Sequence, residues 1–265
     1  MTTHLANYET QQQAFFALFE PDCDCRILLV HGESGSGKTT FLEHCREQTP
    51  SQVPCLPIEL RRSAVGVAEF FSRSGRWLGW QRMSNFKMRV SQLGGAPLVQ
   101  IDGNVLAGVN NSINVALHAD TLADREERRA ALTDAWFDDL EALSHPALVV
   151  FDTYEQATSE VKDWISGPFL ARVPHVKPVR VVVAGQIVPE KHTIEWGHCC
   201  DQQELLGVKE ARHWMPIVHA LGRCIPHRPP ESPETWLAGV CYALKGNPGE
   251  IFKAIESLPR GEATR

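Results

Sequence analysis

Short aliphatic runs punctuate the chain, separated by stretches of helical period. Arg26–His31, Cys55–Leu60, Ala147–Phe151 and Arg180–Ala184 are compact β-branched and leucine-rich segments, and they read as buried strands. Residues 8–19 predict a short amphipathic helix. A second helix runs from about Lys38 to Glu47, with Pro50 on its far side. Leu122–Leu143 is a long helix with Leu132, Trp136, Leu140 and Leu143 on one stripe. Ala64–Ser72 has helical character. Val105, Ala107 and Val109, then Ile113, Val115 and Leu117, alternate with small or polar residues around Asn110-Asn111, which predicts a hairpin. After Pro189 the pattern turns helical. Lys209–Leu221 is one helix. Ser232 caps another, with Pro233 at its first position and Gly246 past its end. Pro248–Leu258 is the last. Strands alternating with helices imply a parallel sheet covered on both faces. The expected division is a core of residues 1–202, with an insertion at about 61–120, and a helical lid of residues 203–265.

Length and charge narrow the class. The 265 residues suit one large α/β domain, or a main domain with a small appendage. A net charge of −6 argues against a wholly basic nucleic-acid protein but leaves room for a local patch. No apolar run approaches the roughly 18 residues needed to span a bilayer. The N-terminus has no basic flank and no long apolar stretch, unlike a secretory signal. Eight cysteines at irregular spacing do not make a disulfide framework in a chain this long. The expectation is a soluble, cytoplasmic protein with reduced thiols and no membrane partner.

The strongest chemical signal is Gly32-Glu33-Ser34-Gly35-Ser36-Gly37-Lys38-Thr39, which fits G-x-x-x-x-G-K-[ST] at every fixed position. A strand precedes it and a helix follows. Glycines let the backbone curl so that successive N–H groups face one phosphate, and the helix N-terminus adds its positive end. Gly32, Gly35, Ser36, Gly37, Lys38, Thr39 and Thr40 form the expected nucleotide-binding set. Lys38 reaches the β- and γ-phosphates, and the Thr39 hydroxyl binds Mg²⁺.

Leu148–Asp152 is a buried strand ending in an acid, at the sheet edge where ligands collect in open α/β folds. Asp152 is expected to hold the magnesium together with Thr39. Glu155 is either the group that orients or deprotonates the attacking water or a solvated loop acid. Thr153 occupies the place directly after the aspartate where many NTPases carry that glutamate. Gln186, at the end of the fourth strand, is either a γ-phosphate contact or an idle turn residue.

Other constellations point less clearly. Arg61, Arg62, Arg73, Arg76, Arg82, Lys87 and Arg89 interleave with Trp77, Trp80 and Phe86. This stretch is a single-stranded nucleic-acid surface, an interface for an acidic partner, or a packed helix with a solvated basic face. Cys23-x-Cys25 and His198-Cys199-Cys200 do not have zinc spacing. Arg125, Arg128 and Arg129 suit solvated helix pairs better than a catalytic arginine finger. His31 is placed either to touch nucleotide or to be satisfied by backbone.

Four segments, 27–42, 147–155, 179–186 and the Gly-Asn-Pro of 246–248, together resemble the STAND class of signal-transducing ATPases, AAA-related proteins that include NACHT and NB-ARC modules. The resemblance implies an α/β P-loop NTPase core of the ASCE/AAA-like kind with a C-terminal helical lid. It implies ATP/ADP and Mg²⁺ as cofactors, with Lys38, Asp152 and Glu155 as the catalytic set. By the same resemblance Pro248 opens a lid helix and packs near adenine. Such a protein is a slowly hydrolysing switch that governs assembly with separate effector or sensor chains, or as a homo-oligomer, in bacterial signalling or defence. Two departures stand out. Gln186 replaces a frequent arginine, and the chain has no room for effector and repeat domains, as in a split system or a fragment. The alternatives are a non-hydrolysing nucleotide-bound adaptor and a DNA-associated ATPase of the transposition-helper type.

Overall fold

The computed structural model describes residues 5–21, 23–61, 65–95, 106–192, 194–226 and 232–260. Arg62, Ala64 and Val105 lie outside the described residues. The strands are β1 (Ile27–His31), β2 (Cys55–Glu59), β3 (Ala147–Asp152), β4 (Val179–Gly185) and β5 (Cys200–Glu204). The helices begin with α1 (Glu9–Ala17), α2 (Lys38–Gln48), α3 (Val67–Leu78), α4 (Ser84–Gly94), α5 (Leu106–Leu117) and α6 (Leu122–Glu141). They continue with α7 (Ser159–Trp164), α8 (Leu170–Arg172), α9 (Met215–Ala220), α10 (Pro233–Ala243) and α11 (Pro248–Glu256).

One parallel five-stranded sheet has the order β2-β3-β4-β1-β5. β3 pairs in parallel with β2 and with β4. All seven residues of β4 and the first five of β3 are buried, as expected for strands covered on both faces. β5 escapes a hydrophobicity reading, since its sequence CDQQE carries no apolar alternation. It is an edge strand, and the all-helical tail begins only after it.

Chain contacts define two compact units: residues 18–29 with 50–201, and residues 1–17 with 30–49 and 202–265. In the first, Phe70, Trp136, Phe151, Trp164 and Phe169 form an aromatic core with ring centroids 4.9–6.4 Å apart. The polar ends of the indoles are satisfied inside it: Trp136 donates to Ser74 Oγ and Trp164 to Thr133 Oγ1, both at 2.9 Å. Asp139 is buried on α6, and its two oxygens accept from the Asn85 and Phe86 amides, which caps α4.

The hairpin expected around Asn110-Asn111 is instead α5. Ile113 and Ala116 are both buried, three residues apart. The same apolar positions satisfy a helical period once α4 and α6 are present to cover them. The single helix expected over Lys209–Leu221 is a 3-10 turn at Ala211–His213 followed by α9, whose second residue is Pro216. Proline lacks the N–H that a longer helix would need there. No helix among the described residues is long and apolar enough to cross a membrane.

Candidate functional site

In the second unit the chain leaves β1 at His31, turns through Gly32–Gly37 and enters α2 at Lys38. Gly35 and Gly37 have φ of 79° and 85°, in the left-handed region that disfavours a side chain. A Cβ on Gly32 would stand 2.7 Å from Leu205 O, and one on Gly35 would stand 2.6 Å from Asn247 Oδ1. The loop carbonyls are tied back one after another. Lys38 Nζ donates to Gly32 O at 2.7 Å and Glu33 O at 2.8 Å. Asn247 Nδ2 donates to Ser34 O at 3.2 Å, and Gly249 N–H to Gly35 O at 2.9 Å. The Tyr8 hydroxyl lies 2.8 Å from Ser36 O and 2.6 Å from Leu206 O. A trans peptide points its N–H opposite its C=O. Anchoring the carbonyls therefore presets the amides for an anion, except that Ser36 N–H turns back to Glu33 O at 3.2 Å. The N-cap residue of α2 is Gly37, which has no side chain to cap the helix, and the first turn adds the positive end of the helix dipole.

Beside the loop is a cavity of about 710 Å³ lined by Tyr8, Gly37, Thr40, Trp214, Pro248 and Phe252, among others. Its rings and methylenes suit a flat heteroaromatic group of limited polarity. Tyr8 is buried, and burial pushes its hydroxyl up to about 12. Its φ of 84° is unusual for a ring-bearing residue. Nothing in the sequence marks Tyr8 as a loop residue, because its partners lie 28 and 198 positions away.

In the first unit Asp152 ends β3, and its Oδ1 accepts from Thr153 N–H at 2.7 Å. Thr153 is buried and left-handed, with φ of 62°, a strained conformation for a β-branched residue. The turn that follows brings Glu155 to the end of β4. Glu155 Oε2 accepts from Gln186 N–H at 2.9 Å, and Oε1 from Gln186 Nε2 at 3.3 Å. Lys162 Nζ holds the Glu155 backbone carbonyl at 2.7 Å. A Cβ on Gly185 would come within 2.7 Å of Glu155 Oε2, so the close approach depends on glycine.

The loop suits the phosphates of a nucleotide: the second unit supplies N–H donors, an ammonium group and the Thr39 hydroxyl. In the first unit Asp152 offers a carboxylate, a hard oxygen ligand. The glycine cradle is the structural observation behind the fit, since Cβ atoms would close it.

Several members of the remaining constellations are packed or paired. Phe86 is buried, Trp77 and Trp80 are half-buried, and Arg73 and Arg76 pair with Glu69 at 2.7 and 3.7 Å. Arg128 Nη1 lies 2.7–3.3 Å from the carbonyls of Leu93, Ala116 and His118, at the C-terminal ends of α4 and α5. Arg129 pairs with Glu160 at 2.7 Å. All eight cysteines are free thiols, and burial pushes Cys25 up to about 11 and Cys45 and Cys200 up to about 12. Among the described residues no group of three or more His, Cys, Asp or Glu is arranged to hold a metal ion.

Comparison with solved structures finds similarity to the Walker-type ATPase PABY2304 of Pyrococcus abyssi, with 12% identity and a TM-score of 0.52, covering 96% of this chain and 69% of that one. A weaker likeness, with 9% identity and a TM-score of 0.37, is to a chain of Drosophila ORC bound to AT-rich DNA and Cdc6, covering 74% of this chain and 55% of that one. No curated protein matches the sequence at a significant level. The AAA ATPase domain profile matches residues 8–182. With that match over more than half its length, an α/β P-loop core and a complete phosphate-loop motif, the chain belongs to the AAA ATPase domain family.

Proposed function

We propose that this protein binds ATP with Mg²⁺ and works as a nucleotide-dependent switch of the STAND kind. The observation that carries the reading is the phosphate loop, whose carbonyls from Gly32 to Ser36 are all engaged by donors. In this reading the loop amides and Lys38 bind the polyphosphate, with Ser36, Thr39 and Thr40 beside them. Pro248 and Tyr8 border the base cavity. Thr39 and Asp152 would hold magnesium, which screens charge on the phosphate oxygens when bound. Glu155 orients or deprotonates the attacking water, and Gln186 contacts the γ-phosphate. Residues 203–265 act as a lid whose angle depends on nucleotide, because the nucleotide binds the open and closed forms with different affinity. The output is assembly with effector or sensor chains, or with further copies, in the cytoplasm of a signalling or defence system. This last step rests on family analogy.

Titration calorimetry with MgATP and MgADP tests the reading, with Lys38→Ala as the comparison. Parent affinity no greater than that of Lys38→Ala would remove it. A second reading, a nucleotide-bound adaptor without turnover, is favoured by Thr153 standing directly after Asp152 and by the engagement of Glu155 with Gln186. MgATP binding with phosphate release no faster than that of Lys38→Ala would select it.

A further inference from the structure

The residue between Gly246 and Pro248 has two tasks at once. The Asn247 Oδ1 accepts from Glu250 N–H at 3.1 Å, capping α11. Its Nδ2 donates to Ser34 O at 3.2 Å, across 213 positions of chain. One planar carboxamide therefore ties the first turn of a lid helix to the middle of the phosphate loop. The neighbouring backbone strengthens the tie: Gly249 N–H donates to Gly35 O at 2.9 Å, and Gly246 O accepts from Val208 N–H at 2.7 Å. Lys245 and Gly246, just upstream, have φ of 52° and 75°, so the turn presenting Asn247 is held in a conformation with few alternatives.

The contact is also tight. Asn247 Oδ1 stands 2.6 Å from where a Cβ on Gly35 would be, so the amide rests directly against the left-handed glycine of the loop. A polyphosphate on the Gly35 N–H would polarise the same peptide unit whose carbonyl, Ser34 O, Asn247 binds, strengthening that bond. A lid displaced from the loop loses it.

We infer that Asn247 is a positioning residue: its carboxamide couples occupancy of the phosphate loop to the order of α11. The inference rests on the nucleotide reading above and adds its means of transmission. Pro248 faces the base cavity, whereas Asn247 faces the loop backbone, so the two parts of a nucleotide act on the lid through different residues.

Two substitutions separate the tasks of Asn247. Asn247→Ser and Asn247→Asp both keep an oxygen for the Glu250 amide, so α11 stays capped. Aspartate has no donor, and the shorter serine carries its one hydroxyl at the cap position, so both lose the amide donor to Ser34. Amide hydrogen exchange is followed in the parent and both variants, with and without saturating MgATP, alongside thermal melting of the nucleotide-free proteins. In the parent, MgATP slows exchange in the phosphate loop and in α11. In the variants the loop remains protected, while nucleotide-induced protection of α11 falls about fivefold, the scale of one hydrogen bond. Melting midpoints stay close to the parent value. Equal protection of α11 in the parent and both variants overturns the inference and leaves nucleotide binding standing. Absence of any MgATP effect or binding in the parent overturns both together.

Discussion

Glu155 and Gln186 lie 31 positions apart and share two hydrogen bonds, with the carboxylate accepting from both the backbone and the side chain of Gln186. The pair joins the turn after β3 to the end of β4. In the proposed mechanism Glu155 is the base, and the two bonds would fix the carboxylate's geometry before a water arrives. Substituting Glu155→Gln keeps the shape of the clasp and removes the charge. The expected outcome is phosphate release lowered by roughly 100-fold, the usual scale for a general base, with MgATP affinity unchanged within about threefold. A single-turnover assay beside equilibrium binding reads both, and an unchanged rate would leave Glu155 with a purely structural role.

Gly35 and Gly239 should respond in opposite directions to alanine. Gly35 has φ of 79°, and its Cβ would press on Asn247 Oδ1. Gly35→Ala is expected to cost about 1–2 kcal/mol from the left-handed backbone alone, and nucleotide affinity falls with it. Gly239 lies within α10 with nothing inside 4 Å of its Cβ position. Gly239→Ala is expected to stabilise by about 0.5–1 kcal/mol. Urea denaturation measures both changes.

Asp139 is a buried carboxylate whose partners are two amides at the start of α4. Asp139→Ala leaves those N–H groups without their acceptor, that of Phe86 in the interior. A loss of about 2 kcal/mol is expected, at the upper end for removing a helix cap. Loss of α4 protection in hydrogen exchange, ahead of the rest of its unit, would identify the cause.

Alkaline pH should weaken the fold. Burial raises Tyr8 from its ordinary 10.0 to about 12, and Cys45 from 9.0 to about 12. A raised folded-state pKa means that the neutral form is favoured in the native protein. The resulting stability is complete below the unfolded values and is lost as pH rises through the folded ones. Stability is therefore expected to fall progressively between about pH 9 and pH 12. Tyr8→Phe removes the tyrosine share of the slope above pH 10, at the cost of its bonds to Ser36 and Leu206. Denaturation midpoints across that range check both statements.

What the sequence determined by itself was local in chain. The phosphate loop is one contiguous motif flanked by a strand and a helix, so its glycines, Lys38 and Thr39 are in view at once. β1, β3 and β4 were legible because a strand covered on both faces must be apolar throughout, and β2, at one edge, because Leu56 and Ile58 alternate with exposed positions. The same rule hid β5, an edge strand of polar residues defined by its backbone partners. Alternation suggested a hairpin where α5 stands, because a period of two and a period of 3.6 coincide over so few residues until neighbouring helices decide which face is covered. Only the tertiary structure brought Tyr8 to Ser36, Asn247 to Ser34 and Glu155 to Gln186. Hydrogen bonds to backbone carbonyls and amides leave no trace in residue spacing, since every position in the chain offers the same partner groups.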